Sequence, residues 1–366
     1  MSKILQSGYT TGACAAAGVK AALILMTTDK IVESVEITAL DGTILFIPIK
    51  QVKNHDNTEI SSEVVKFSGD DPDVTNGASV FTTVKRIDGN EIIFKGGKGI
   101  GIVTRAGLSV PVGEPAINPG PRQLIKNVVK EIFGKVVGLE ITISIPAGVE
   151  LAKKTLNPIL GIEGGLSIIG TTGVLRPMSE EAYKKSLVPQ IDVASAAGFD
   201  TLIFVPGKIG EVAAIKQGLP KAAIVQTSNF VGYMLEAAVE RKIKGILFFG
   251  HIGKLSKVAA GVFYTHNRIG DARLEAIAAY SAAEGLNCDV VKKILNANTT
   301  DEAVLIIAEN HFEHVYKIIA ERASIRAKRY IFGEMDIGTV LVNRSGEILG
   351  YDSAAEMMIK NFNSFK

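Results

Sequence analysis

Cysteine is nearly absent: Cys14 and Cys288 are the only thiols in 366 residues. Two cannot form a disulfide framework, and their separation matches no zinc-ligand spacing, so a reducing cytoplasm fits best. An excess of one charge is missing too, because 40 basic residues face 38 acidic ones for a net of +2. That balance excludes the basic stripe of a nucleic-acid binder and leaves a small molecule as the expected partner. No stretch of about 20 uninterrupted apolar residues occurs, so no membrane span is expected. The apolar run Ala13 to Met26 is interrupted by Lys20 and preceded by Thr10-Thr11-Gly12, and it reads as an amphipathic helix, not a leader. Walker and GxSxG patterns are likewise lacking, which removes the commonest nucleotide hydrolases and the serine hydrolases. A homo-oligomer is left open.

What the chain has in abundance is glycine and proline in one place. The run from Lys95 to Arg122, KGGKGIGIVTRAGLSVPVGEPAINPGPR, holds seven glycines and four prolines. Glycine admits backbone conformations closed to other residues and lets a ligand approach the main chain, while proline stiffens the loop between. GGKGIG at 96–101 runs into Ile102-Val103-Thr104 and not into a helix, so it is no dinucleotide fingerprint; a glycine-rich hairpin and a ligand-cradling loop both remain. Just before it stands GDDPDVTNG at 69–77, in which Asp70, Asp71 and Asp73 are either a solvated turn or clustered acids able to share protons.

The length suits two domains, since single cores stop growing at about 250–300 residues. Up to 155 the pattern is mixed: one early helix, short β-branched runs at Val35–Ala39, Thr43–Ile49, Val80–Val84, Glu91–Phe94 and Glu140–Ile145, and a helix over Arg122–Phe133. Asp41-Gly42 signals a two-residue hairpin. From 156 to 366 short apolar strands alternate with helices, at Leu166–Ile169, Thr201–Val205, Ala222–Val225 and Gly245–Phe249. The expectation is an N-terminal α+β domain over 1–155 followed by a Rossmann-like parallel-sheet α/β domain over 156–366. Helices at Asp271–Glu284 and Asp301–Glu321 and a late hairpin over Thr339–Asp352, turning at Arg344-Ser345-Gly346, complete it.

Each expected parallel strand runs into small or polar residues before a helix: GTTG at 170–173, PGKIGE at 206–211, TSN at 227–229 and GHIGK at 250–254. Ligands of open α/β sheets bind at that edge. His251 and His266, 15 positions apart, match no metal motif; either is a hydrogen-bonding structural residue or a site residue. Lys98, Arg105, Arg122, Arg176, Lys254 and Lys257 lie in or beside these glycine-rich junctions, where a cation meets an anionic ligand or simply solvent. Arginine is the better carboxylate receptor, which favours Arg105, Arg122 and Arg176.

Longer strings resemble one family: YTTGACAAAGVKAA at 9–22, DDPDVTNG at 70–77, the 96–122 loop, LNPILGIEGGLSIIGTTGVLRPMS at 156–179, TSNFVGYMLE at 227–236 and GHIGKLSKVAAGVFYTHNRIGDARLE at 250–275. These are similar to the CbiD family, the cobalt-precorrin-5B C(1)-methyltransferases, and the likeness runs to about Glu275. It departs locally at Lys66-Phe67-Ser68, Ala106, Lys208 and Asn267. The resemblance implies methyl transfer from S-adenosylmethionine to carbon 1 of a cobalt tetrapyrrole, with cobalt carried only by the substrate. With that chemistry the strand-end loops are expected to hold the donor, at Gly170, Thr171, Thr172, Gly173, Gly207, Ser228, Asn229, Gly250 and His251, and the glycine-rich junctions to meet the macrocycle, at Lys98, Arg105, Asn118, Arg122, Arg176 and Lys254. Asp70, Asp71 or Glu114 would attend the sulfonium, and His266 any proton movement. A non-catalytic tetrapyrrole carrier, or a transferase for a phosphorylated substrate, is the rival expectation.

Overall fold

In a computed structural model, which describes residues 5–56 and 58–364, the chain divides into two compact units, Met1–Glu180 and Glu181–Lys366. The boundary thus falls beyond the 155 expected. The reason is strand pairing: Ile162–Glu163 pairs with Ile102–Val103, and Val174–Leu175 pairs with Gly8–Tyr9, so the segment after 155 is stitched into the first unit.

The first unit is α+β. Its five-stranded sheet has the order Gln51–Asp56, Glu59–Val65, Ser79–Arg86, Leu139–Ser144, Ile92–Gly96, antiparallel except for the last pair. That one parallel pair needs a crossover, and the glycine- and proline-rich run followed by the helix Pro119–Phe133 supplies it. The early helix spans Thr11–Thr28, with the Thr10 hydroxyl accepting from the Ala13 N–H at 3.2 Å as its N-cap. It is not the amphipathic helix expected: every residue from Thr11 to Leu23 is buried. Small side chains allow it. A Cβ on Gly18 would stand 2.5 Å from the Thr82 hydroxyl, and one on Gly12 would stand 2.6 Å from Pro121 Cγ, so sheet and second helix both close directly onto its backbone. Long and apolar enough to cross a membrane, this helix is instead the centre of the unit's core. Lys20 joins it by donating to Glu36 O at 2.7 Å and Glu131 Oε1 at 2.5 Å.

Beside the sheet, Ser34–Thr38 and Ile44–Pro48 form the hairpin that Asp41-Gly42 announced, with Gly42 at φ 86°. The strands Gln51–Asp56 and Glu59–Val65 were not anticipated, because QVKNHD and EISSEVV carry too few apolar residues to reveal their alternation.

The second unit is a Rossmann-like α/β fold. Its sheet order is Ile224–Gln226, Thr201–Val205, Gly245–His251, Asp336–Val342, Ile348–Tyr351, the first four parallel and the last antiparallel. From Thr201–Val205 the chain first adds a strand on one side and then returns to add Gly245–His251 on the other. The topological switch point therefore lies between Thr201–Val205 and Gly245–His251. Leu166–Ile169 is not a strand of this sheet; it forms bridges with Ile100 and Ile117 inside the first unit. The helix expected over Asp301–Glu321 is two, Thr300–Glu309 and Val315–Tyr330, broken at His311 in the left-handed region (φ 54°).

Candidate functional site

At the carboxyl edge of the parallel sheet, Thr201–Val205 ends in Pro206-Gly207 and Ile224–Gln226 ends in Thr227-Ser228. Lys254, from the helix Ile252–Ala259, reaches back to both: its Nζ donates to Pro206 O at 2.7 Å and lies 3.5 Å from Ser228 O. Among the described residues no carboxylate pairs with it; burial, helped by the nearby Lys257 charge, lowers its pKa. Gly207 begins the helix Lys208–Lys216, which no side chain caps, and a Cβ on Gly207 would meet nothing closer than Lys254 Nζ at 4.0 Å. The Thr227 hydroxyl is buried without a hydrogen-bond partner. Ser228 holds φ 53°, a left-handed conformation that costs a non-glycine residue free energy. An open glycine, uncapped N–H groups and an ammonium thus meet at this edge, with the buried Thr227 hydroxyl at the neighbouring strand end.

The remaining edge residues are committed to the loop itself. Asn229 O accepts the Thr265 N–H at 2.9 Å. His251 Nδ1 accepts the Gly253 N–H at 3.1 Å, which leaves the proton on Nε2, 3.4 Å from Asp301 Oδ1. His266 Nδ1 accepts the Arg268 N–H at 3.2 Å, so its free nitrogen is a donor and it is poorly placed to act as a base. Lys257 is buried, donating to Thr265 O and to Asn267 Oδ1 at 2.7 Å. Gly250 packs against Pro206.

In the first unit the glycine- and proline-rich loop is knitted to its surroundings. A Cβ on Gly97 would stand 2.0 Å from the Ser144 hydroxyl, on Gly99 1.9 Å from Ile145 O, and on Gly120 2.5 Å from Gly170 O. Arg122 donates Nε to Ile117 O at 2.8 Å and Nη2 to Glu114 at 3.1 Å, and lies over the Phe94 ring at 5.3 Å; it braces the loop, and Glu114 is its partner. Arg105 reaches only Ile159 O, at 3.4 Å. Lys98 is exposed, and Asn118 opens the helix Pro119–Phe133 without capping it through its side chain. The GTTG loop belongs to this unit and not to the parallel edge: Gly173 O accepts the Thr10 N–H, Thr172 O accepts the Leu40 N–H, and Gly170 at φ 143° abuts Thr10, with Thr171 exposed.

The acidic string is a clasp. Asp70 Oδ2 accepts the Gln6 N–H at 2.8 Å, and Asp71 Oδ2 accepts the Met178 N–H at 2.9 Å. Asp73 takes the buried Lys66 at 2.8 Å together with the Thr75 N–H and hydroxyl. Burial works to raise the Asp73 pKa, but hydrogen bonds from Lys66 and Thr75 hold it below the usual carboxylate range.

Sequence patterns missed a groove of about 910 Å3 between the hairpin strand Ile44–Pro48 and the segments around Tyr9, Phe67 and Arg176. Arg176 lies 3.6 Å from Asp41, with three quarters of its side chain exposed. The signal was present in ILFIP at 44–48, five apolar residues in a strand whose alternate positions must face outward.

A mixed α+β unit followed by a parallel-sheet unit whose strand ends carry polar groups and an open glycine has the layout of a protein that binds a small molecule at its sheet edge. The first 177 residues match the CbiD family model and residues 264–353 match the model for the CbiD C-terminal domain. A cobalt-precorrin-5B C(1)-methyltransferase of Moorella thermoacetica is 49% identical over 357 residues, covering 97% of each chain. Another of that name, from Methanocaldococcus jannaschii, is 47% identical over 94% of this chain and 95% of its own. A solved cobalamin biosynthesis protein of Archaeoglobus fulgidus is 27% identical, covering 70% of this chain and 80% of its own at a TM-score of 0.39. The chain belongs to the CbiD family.

Proposed function

We infer that the chain is an S-adenosylmethionine-dependent C-methyltransferase that adds a methyl group to carbon 1 of cobalt-precorrin-5B, giving cobalt-precorrin-6A. The observation that carries this is near-full-length identity of 49% with a relative of that activity. The chemistry asks little of protein side chains. A methyl sulfonium is already activated, so positioning donor and carbon nucleophile can supply about 7–11 kcal/mol of the barrier reduction. Among the described residues no cluster of three or more His, Cys, Asp or Glu could hold a metal, and none is needed, since cobalt is carried by the substrate.

The residues of the strand-end edge fit the donor's amino-acid end. Gly207 leaves room for a ligand, the helix Lys208–Lys216 offers uncapped N–H groups, and Lys254 offers a cation within a few ångströms. These suit a carboxylate. Lys254 would repel the sulfonium, so that group lies away from it. Ser228, Asn229, Gly250 and His251 shape the same edge, and the buried Thr227 hydroxyl offers a hydrogen bond to a donor hydroxyl. On the acceptor side Arg176, exposed and lining the groove, is the first contact, and Lys98, Arg105 and Asn118 are further ones; Arg122 acts by bracing its loop. Asp70, Asp71 and Glu114 support loops and do not face the sulfonium. His266 donates through Nε2 and does not take a proton. The reaction belongs in the cytoplasm.

The test is anaerobic incubation with S-adenosylmethionine carrying a deuterated methyl group and enzymatically prepared cobalt-precorrin-5B. One labelled methyl at carbon 1 is expected by mass spectrometry. Tetrapyrrole that binds but gains no label would assign a carrier instead.

A further inference from the structure

The hairpin strand Ile44–Pro48 pairs on one edge only, with Ser34–Thr38. Its inward residue Ile47 is fully buried, while Ile44 and Phe46 point outward, 53% and 71% exposed. A monomer seldom leaves a phenylalanine so bare within a contiguous apolar patch unless the patch binds something. Opposite lie Tyr9 and Phe67, whose rings stand 6.1 Å apart and tilted by 55°. Together they line the groove of about 910 Å3, near the top of the roughly 300–1,000 Å3 range of ligand pockets.

Charge narrows the occupant. Arg176 and Lys50 line the groove, and no aspartate or glutamate is among its described lining residues. Lys50 is tethered to Glu63 Oε1 at 2.8 Å yet 58% exposed; Arg176 approaches Asp41 no closer than 3.6 Å. Both can therefore turn toward an anionic ligand. An apolar wall with two cations at its edge suits an occupant that has an apolar face and carboxylates at its rim. Aromatic side chains stack on such a face, and guanidinium binds rim carboxylates bidentately.

We propose that this groove receives the tetrapyrrole macrocycle, its face on Phe46, Ile44 and Phe67 and two of its rim carboxylates on Arg176 and Lys50. The assignment rests on the methyltransferase reading for the identity of the ligand. A peptide strand or a second copy of the chain pairing with the free hairpin edge would use the backbone and leave the two cations without a role.

The chain contains no tryptophan, so Phe46→Trp introduces a single tryptophan at an exposed position, excitable at wavelengths its eight tyrosines do not absorb. Under anaerobic titration with cobalt-precorrin-5B its emission is expected to fall by more than half, saturating near the KM. Phe46→Ala and Arg176→Ala are each expected to raise the tetrapyrrole KM tenfold or more, with kcat within threefold and affinity for S-adenosylhomocysteine unchanged. An unchanged KM in the double variant, with methyl transfer intact, overturns the groove and leaves the methyltransferase standing. Saturable quenching without label transfer overturns the methyltransferase and keeps the groove as a tetrapyrrole site. Loss of self-association in Phe46→Ala with KM unaffected makes the groove a subunit interface and overturns the proposal. A wild-type chain that neither binds nor methylates cobalt-precorrin-5B overturns both.

Discussion

Two glycine-rich regions of this molecule look alike in sequence, yet Gly207 in one and Gly97, Gly99 and Gly120 in the other behave oppositely. In the loop of the first unit, glycine is present because chain meets chain: added Cβ atoms at Gly97, Gly99 and Gly120 would all stand 2.5 Å or less from protein atoms. At the strand-end edge of the second unit, Gly207 faces open space bounded by an ammonium. The first kind of glycine makes a fold and the second leaves room for a ligand. A glycine motif signals close approach, but only its neighbours say whether the approaching group is backbone or substrate.

The sharpest test replaces one glycine of each kind. Gly99 sits at φ 80° with Ile145 O where its Cβ would go. Gly99→Ala is therefore expected to cost more than about 3 kcal/mol by denaturant unfolding, or to prevent folding. Gly207 is extended, at φ −177°, a conformation open to any residue. Gly207→Ala should change stability by less than about 1 kcal/mol while weakening S-adenosylhomocysteine binding in calorimetry. Equal losses of stability at both positions would break the distinction.

The same division applies to the lysines. Lys66 is 2% exposed and its charge serves Asp73 and Ser68. Removing one partner of a buried pair costs about 3–5 kcal/mol, so Lys66→Met should lose that much near neutral pH. The pH dependence supplies a second readout. In the native chain Asp73 titrates below its unfolded value; its contribution is full above about pH 3.9 and is lost as pH falls through the lower folded value. Without Lys66 the folded pKa rises, because burial is then opposed only by the hydrogen bonds from Thr75. The deficit of Lys66→Met should then shrink as pH falls below about 4, because a protonated Asp73 needs no cation. A deficit independent of pH would show that packing, not charge, sets the role of Lys66.

Much of the second unit was legible. Three apolar runs became parallel strands, and Arg344-Ser345-Gly346 turned the late hairpin as expected. Leu166–Ile169 misled because a short apolar run before glycine reads the same whether it enters a sheet or bridges to loops. The break at His311 left no proline or glycine to announce it. Gly207 and Ser228 could be placed at strand ends from the sequence, whereas Lys254, expected to meet the macrocycle, reaches back to Pro206 O and Ser228 O. The acidic string and Arg122 were visible as residues, but their role was not, since a carboxylate that holds a backbone N–H and one that faces a ligand are written alike. The groove escaped because its walls come from four separated segments, and only tertiary structure brings Tyr9, Phe46, Phe67 and Arg176 together.

Lys254 tests the open side of the comparison with a smaller effect. Its ammonium is held by two carbonyls and no carboxylate partner. Lys254→Met should cost less than about 1.5 kcal/mol of stability, the scale of a neutral hydrogen bond. It should weaken S-adenosylhomocysteine binding at least tenfold. A variant that keeps full donor affinity would remove the carboxylate from this edge and leave Lys254 a brace like Arg122.

The smallest expected effect is at His266. Its Nδ1 accepts a backbone N–H from Arg268 and its carbonyl accepts from Ile269 and Gly270, so both ends of the residue fold its own loop. A neutral imidazole in that state has no free lone pair on the ring to take a proton. Glutamine preserves an acceptor oxygen and a donor N–H, so His266→Gln should change kcat by less than threefold and leave the pH profile of kcat unmoved. If kcat falls a hundredfold, the loop must rearrange on substrate binding to free Nδ1. The histidine would then be a base assembled only in the complex.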